Sequence, residues 1–261
     1  MSDKKIGRTE AKWKGLVVTR ANELFQDHYL PSHDPGHHER VWRNACIYSQ
    51  NIPINDPFYY EKLLLACYFH DLGMIFDLGE KHGRHSAQLC REFLDQYGSL
   101  VDFDTTEVLE AIEFHDDKEY QSSSHRSLVS DILSMADDLD AFGAIGVYRY
   151  IEIYLLRDID TSLMAEVVLR NAAGRYKHLR KLCRKYRIVT KIAQSCYEIL
   201  QKLLLENSYQ DTPDTLITWI REYIVLPSAE PFAYMQNVNI QTLENQRVQF
   251  FVRQVCAELT R

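Results

Sequence analysis

The stretch Leu63 to Phe69, Leu-Leu-Leu-Ala-Cys-Tyr-Phe, is apolar apart from one tyrosine hydroxyl, and it runs straight into His70 and Asp71. An apolar run this continuous reads as a helix buried all round rather than one with a solvated face. Its polar ending is the constraint. A buried unpaired charge is costly, so such groups are paired, hydrogen-bonded or bound to a metal. One cation satisfies an imidazole and a carboxylate together, although a His and an Asp at a helix end can also do no more than cap it. The dipeptide alone leaves both readings open.

The rest of the chain supplies the context. With 261 residues, 46% of them hydrophobic, it has material for one large domain or two small ones. Only 10 Gly and 7 Pro interrupt it, amphipathic runs recur, and alternating Val/Ile/Thr patterns are scarce. These features predict an all-α fold. The net charge of -7 argues against nucleic acid or an anionic membrane as an obligatory partner. A small substrate suits it better. Six scattered cysteines without a Cys-x-x-Cys read as reduced core residues of a cytoplasmic protein. The first residues lack an apolar signal-like segment, and no window approaches about 18 uninterrupted apolar residues, so no membrane passage is expected.

Taken in order, Trp13, Leu16, Val17, Ala21, Leu24 and Phe25 predict a helix over Lys12 to Tyr29, stopped by Pro31. Asp34-Pro35-Gly36 is turn chemistry, after which His37 opens a helix and shares a face with Val41, Ala45 and Tyr48. Asn55-Asp56-Pro57 precedes the helix that delivers His70 and Asp71. A loop from Gly73 to Gly83 leads to a helix over His85 to Tyr97, and Thr105 or Thr106 caps one that ends at His115. Arg126 to Gly146 reads as one long helix carrying Asp137, Asp138 and Asp140. Further helices are expected over 148–157, 161–170, 176–206, 212–224 and 242–260. The only plausible boundary lies near Arg157 to Thr161. We therefore expect a domain over 1–157 and a helical extension over 158–261 packed on it.

His37, the pair His70 and Asp71, His85, His115 and Asp137 all fall at helix ends or on apolar faces. In His-x-x-Arg-Val (37–41), Phe-His-Asp (69–71), His-Ser-Ala (85–87), Ile-Glu-Phe-His (112–115) and Ala-Asp-Asp-Leu-Asp-Ala (136–141), the chain resembles the HD superfamily of metal-dependent phosphohydrolases. Stand-alone bacterial HD-domain hydrolases are the most similar subgroup. The resemblance covers about residues 20–150. It implies that His37, His70, Asp71 and Asp137 bind a first metal, and that Asp71 bridges to a second. It implies further that His85 and His115 hold that second ion or contact phosphate, which makes Asp71, His85 and His115 the catalytic candidates. The donors suit one or two divalent ions of Mn, Fe, Co, Ni or Zn, with water activated by the metal as the nucleophile.

Asp138 stands where that family usually has Arg, so either Asp137 or Asp138 fits as ligand, and the Asp-Leu-Asp-Ala frame favours Asp137. His38 competes with His37 in the same way. Lys81, Arg84 and Lys118 lie beside ligand positions and meet either phosphate or solvent. Ser86 beside His85 lacks a nucleophile elbow. The basic run Arg175 to Arg187 carries apolar members at helical spacing and reads as a solvated helix face. Tyr148, Tyr150 and Tyr154 read as packing. The expected activity is hydrolysis of a phosphoester of a small phosphorylated molecule, a nucleotide foremost. The motifs of alarmone hydrolases and of cyclic-dinucleotide phosphodiesterases are absent. A diiron oxygenase with the same ligands, or a non-catalytic regulatory module, are the rivals. Oligomerisation is left open.

Overall fold

A computed structural model describes residues 2–28, 30, 32–50, 52–79, 81–116, 126–205, 209–225 and 230–260. Among them lie twelve α-helices and no strand, so the all-α expectation holds. None of these helices is long and apolar enough to cross a membrane. The chain divides into two compact units, Met1–Asp137 and Asp138–Arg261. That division falls twenty residues before the expected 157/158.

The first unit holds α1 (Ser2–Phe25), α2 (Pro35–Ser49), α3 (Tyr59–Phe69), α4 (His82–Gln96), α5 (Thr106–Glu113) and most of α6 (Leu128–Asp140). Its centre is α3, which packs against α1, α2, α4 and α5. Every side chain from Leu63 to Phe69 is fully buried, as are Trp13 of α1 and Trp42 of α2. Each large aliphatic side chain so buried contributes roughly 1.5–3 kcal/mol. The charged groups of α3 are matched: Lys62 reaches Asp56 and Glu107, both at 2.8 Å, and Glu61 accepts from the Trp13 indole. Helix α1 begins ten residues before its expected start, at Ser2 rather than Lys12.

The second unit corrects several expected boundaries. The helix expected over Arg126 to Gly146 is two, because the chain turns at Ala141 and Phe142 before α7 (Gly143–Leu156). Gly143 has a positive φ of 76°. The orphan N–H groups of Ala144 and Ile145 at the start of α7 donate to the Glu258 carboxylate, both at 2.9 Å. No local signal announces that cap, since its acceptor is more than a hundred residues away in α12 (Gln246–Leu259).

Helix α8 (Thr161–Tyr186) runs unbroken through the expected gap at 171–175, then stops at Arg187 in the left-handed conformation (φ 57°). Next come α9 (Lys191–Leu204), α10 (Pro213–Ile220), continued by one wider turn over Arg221–Val225, and α11 (Pro231–Asn237), which the sequence reading missed. Helix α7 packs against α9 and α12, and Tyr148, Tyr150 and Tyr154 are buried in it. Along α8, Lys177, Arg180, Lys181, Arg184 and Lys185 are exposed while Leu179, Leu182 and Cys183 are buried. The basic run is thus mostly a solvated face.

Candidate metal centre

Local chemistry places each polar group at a helix end. Asp34 precedes α2, and its side chain accepts from the His37 N–H at 3.1 Å, with Pro35 as the first helical residue. His37 therefore comes in the first turn, facing inward. At the other end of α3, the His70 N–H still bonds to the Ala66 carbonyl, but Asp71 leaves helical geometry (φ -108°, ψ 2°) and opens a 3₁₀ turn over Leu72–Ile75. Adjacent residues are thereby aimed at one point. The turn then lies against the start of α4, where the Gly73 N–H donates to Ser86 Oγ at 2.8 Å. A Cβ at Gly73 would fall 2.1 Å from the His82 carbonyl oxygen, so only a glycine permits this approach.

Three imidazoles share a further device. Nδ1 lies 2.9 Å from the Cys67 carbonyl in His70, 2.5 Å from the Gly79 carbonyl in His82 and 2.7 Å from the Ile112 carbonyl in His115. A carbonyl only accepts, so Nδ1 carries a hydrogen and Nε2 is the nitrogen turned inward, where it can offer its lone pair to a cation. Metal-ligating histidines are oriented in this way.

Asp71 joins two groups. Its Oδ2 lies 3.3 Å from Nε2 of both His37 and His70, whose Nε2 atoms are 3.1 Å apart and stand 3.7 and 3.8 Å from Asp137 Oδ1. Its Oδ1 lies 3.0 Å from His115 Nε2 and 3.5 Å from His82 Nε2, these two being 3.2 Å apart. Within His37, His70, Asp71 and Asp137, and again within Asp71, His82 and His115, the donor atoms lie within 4.8 Å of one another, and every residue is buried. Each group can hold a divalent metal.

The electrostatics agree. Burial alone would raise the Asp71 carboxyl, yet His70, then His115 and His37, hold it well below the usual carboxylate range. Burial alone would lower the His70 imidazole, yet the Asp71 and Asp137 carboxylates raise it to about 10. His82 is raised in the same contest, by Asp71 against burial. Two buried carboxylates thus draw positive charge onto this spot, and protons and metal cations compete for it.

The structure brings together His37, His70, Asp71, His115 and Asp137, and it leaves His85 outside the cluster. That side chain is exposed and packs on Phe76 with ring centroids 5.7 Å apart. His82 stands in the cluster in its place. The sequence carried the signal: the buried stripe of α4 runs Leu89, Phe93 and back through Ser86 to His82, whereas His85 falls with exposed Gln88 and Glu92. Ser86 is spent on the Gly73 turn. Of the two neighbouring carboxylates, Asp137 faces the cluster, whereas Asp138 pairs with Arg175 at 2.9 Å and His178 at 3.4 Å. Lys81 and Arg84 are exposed, and Lys118 lies outside the described residues. His33, not singled out from the sequence, is buried with its Nε2 3.9 Å from Asp71 Oδ2.

Residues 36–141 match the family model of the HD domain. The chain carries an HD domain. The matched segment contains both metal-competent groups in full. No curated protein and no solved structure matches the chain.

Proposed function

We propose that this HD-domain protein is a metal-dependent phosphohydrolase that cleaves a phosphoester of a small phosphorylated molecule, with nucleotides as the first class to test. The observation that carries the reading is the division of Asp71, one oxygen toward His37, His70 and Asp137 and the other toward His82 and His115. A carboxylate shared in this way serves two adjacent groups that could each hold a divalent ion, and ions bound there would supply positive charge toward the oxygens of a phosphoryl group. Mixed imidazole and carboxylate donors suit Mn, Fe, Co, Ni or Zn. Such an ion supplies Lewis acidity toward a phosphoryl oxygen and toward water when bound.

The chain's own residues do the rest. His37, His70, Asp71 and Asp137 would hold one ion, and Asp71, His82 and His115 would hold a second. The backbone carbonyls of Cys67, Gly79 and Ile112 keep the His70, His82 and His115 lone pairs inward. The buried surroundings make each charge interaction stronger than it would be in water. No side-chain nucleophile is needed, in keeping with Ser86 accepting a backbone hydrogen bond.

The test is elemental analysis of the purified wild type and of Asp71→Ala, followed by a screen of phosphorylated compounds with the metal found. We expect one or two equivalents in the wild type, their loss in the variant, and phosphate release by the wild type alone. Oxygen consumption by an iron-loaded protein without phosphate release would move the reading to the oxygenase. A wild type that stays metal-free after reconstitution with all five metals would leave a non-catalytic module.

A further inference from the structure

Over residues 167–197 the chain carries nine Lys or Arg and no Asp or Glu, although its net charge is -7. Most of this run lies in α8 and the rest in the start of α9, with residues 187–190 connecting the two helices. Leu179, Leu182 and Cys183 are buried. Lys177, Arg180, Lys181 and Arg184, spaced i, i+3, i+4 and i+7, share the exposed side of α8, and Arg187 and Lys191 are exposed at the connection.

An ordinary solvated face interleaves its charges. In α1, Lys14 and Arg20 stand 3.5 Å from Glu10 and Glu23, and early in α8 Arg170 meets Glu166 at 3.6 Å. Past that point the interleaving stops. Lys177 with Lys181, and Arg180 with Arg184, place like charges four residues apart, which weakens a helix where opposite charges would strengthen it. Among the described residues no carboxylate pairs with any of these four.

The connection adds an apolar feature. Val189 is 74% exposed, more than any other large hydrophobic side chain among the described residues, and Ile192 is 51% exposed. The Ile188 N–H closes α8 on the Cys183 carbonyl at 2.8 Å, a helix end whose left-handed position glycine fills most readily. Arg187 occupies it instead (φ 57°) and keeps a cation at the tip.

Cations flanking protruding aliphatic side chains suit an anionic lipid surface. The charges meet the headgroups, and the aliphatic groups enter the boundary between headgroups and acyl chains. A soluble polyanion offers Val189 and Ile192 nothing comparable. We infer that the α8–α9 hairpin is a peripheral docking surface for an anionic membrane, with the basic side chains on lipid phosphates and Val189 and Ile192 in the boundary. The acidic remainder of the chain is repelled by such a surface, so attachment is local, reversible and weakened by salt.

The test is cosedimentation of the full chain with phosphatidylcholine vesicles, with and without phosphatidylglycerol, at low and high salt. Two double variants accompany the wild type: Arg184→Ala with Lys191→Ala, and Val189→Gln with Ile192→Gln. All four side chains are exposed, so thermal melting should find both variants folded as the wild type is. We expect binding only where phosphatidylglycerol is present, and less of it at high salt. Each cation near an anionic leaflet is worth about fivefold in binding, so the first variant should lose roughly twentyfold. The second should lose about tenfold at unchanged net charge.

A wild type that ignores phosphatidylglycerol overturns the inference, as does wild-type binding by either variant. A single-stranded oligonucleotide and polyglutamate serve as soluble polyanions. Tighter binding of either than of the vesicles, undiminished by Val189→Gln with Ile192→Gln, would make the hairpin a nucleic-acid or acidic-protein surface and overturn the assignment to lipid.

Discussion

Asp71 shows what a single residue can carry. It follows the last turn of an apolar helix, so it is buried by necessity, and it leaves helical geometry, so its carboxylate turns back toward His70. Asp71→Asn keeps the volume and removes the charge that both groups share. We expect it to lose metal from both positions, while His82→Ala loses only the second equivalent. Groups that merely orient a ligand cost about 10–100-fold in metal affinity when removed, so loss of a shared ligand should exceed that range. Metal titration followed by elemental analysis measures it, and two equivalents surviving in Asp71→Asn would refute the shared carboxylate. His85→Ala, altering an exposed side chain, should bind metal and turn over as the wild type does. Most of this was legible: His37, His70, Asp71 and His115 sit at helix ends that caps and breakers mark. His82 was missed because motif similarity favoured His85 over the helical stripe that selects its neighbour. The contacts of His33 depend on chain brought in from α3, which spacing cannot reveal.

At the scale of elements, the approach of the Asp71 turn to the start of α4 decides whether the second group forms. In Gly73→Ala the new Cβ would lie 2.1 Å from the His82 carbonyl oxygen and 2.6 Å from the Ser86 nitrogen, both backbone atoms with little freedom to retreat. Overpacking of this kind costs about 1–3 kcal/mol. We expect urea unfolding to register that loss, and metal titration to show the second equivalent weakened before the first. In the second unit, Arg247 is fully buried and donates to the carbonyls of Leu203 (2.6 Å), Leu205 (3.1 Å) and Asp211 (2.8 Å), tying the end of α9 to α12. Arg247→Leu strands these acceptors together with the partly buried Asp211 carboxylate. It should cost roughly 2–4 kcal/mol with the metal content unchanged, so a fall in metal content would show that Arg247 also supports the site. Helix existence was readable wherever amphipathic periodicity was strong. The breaks at 141–142 and 187 were not, because a distant Glu258 caps one and a left-handed arginine ends the other.

For the molecule as a whole, the all-α class followed from the scarcity of strand patterns, and the position of the HD domain from its motifs. The expected boundary at 157/158 did not match the compact units. Arg157 to Thr161 looked like a linker, but α7 before it is buried all round from Gly143 to Tyr154 and packs with α9 and α12, which come after it. Loop composition gave no sign of that. The same all-round burial makes the first unit a sensitive reporter of its own ligands. Its carboxylates and imidazoles repel within their kinds and need a cation between them, so metal binds the folded state in preference to the unfolded one. At a free metal concentration one hundred times the dissociation constant, such linkage adds about 2.7 kcal/mol, which for a chain of this size corresponds to a rise in Tm of roughly 5–10 °C. Thermal melting with Mn should show that rise in the wild type, EDTA should reverse it, and Asp71→Asn should melt at one temperature with or without metal. An equal rise in Asp71→Asn would mean that the ion stabilises the fold from somewhere other than the His and Asp cluster, and the proposed centre would lose its claim to it.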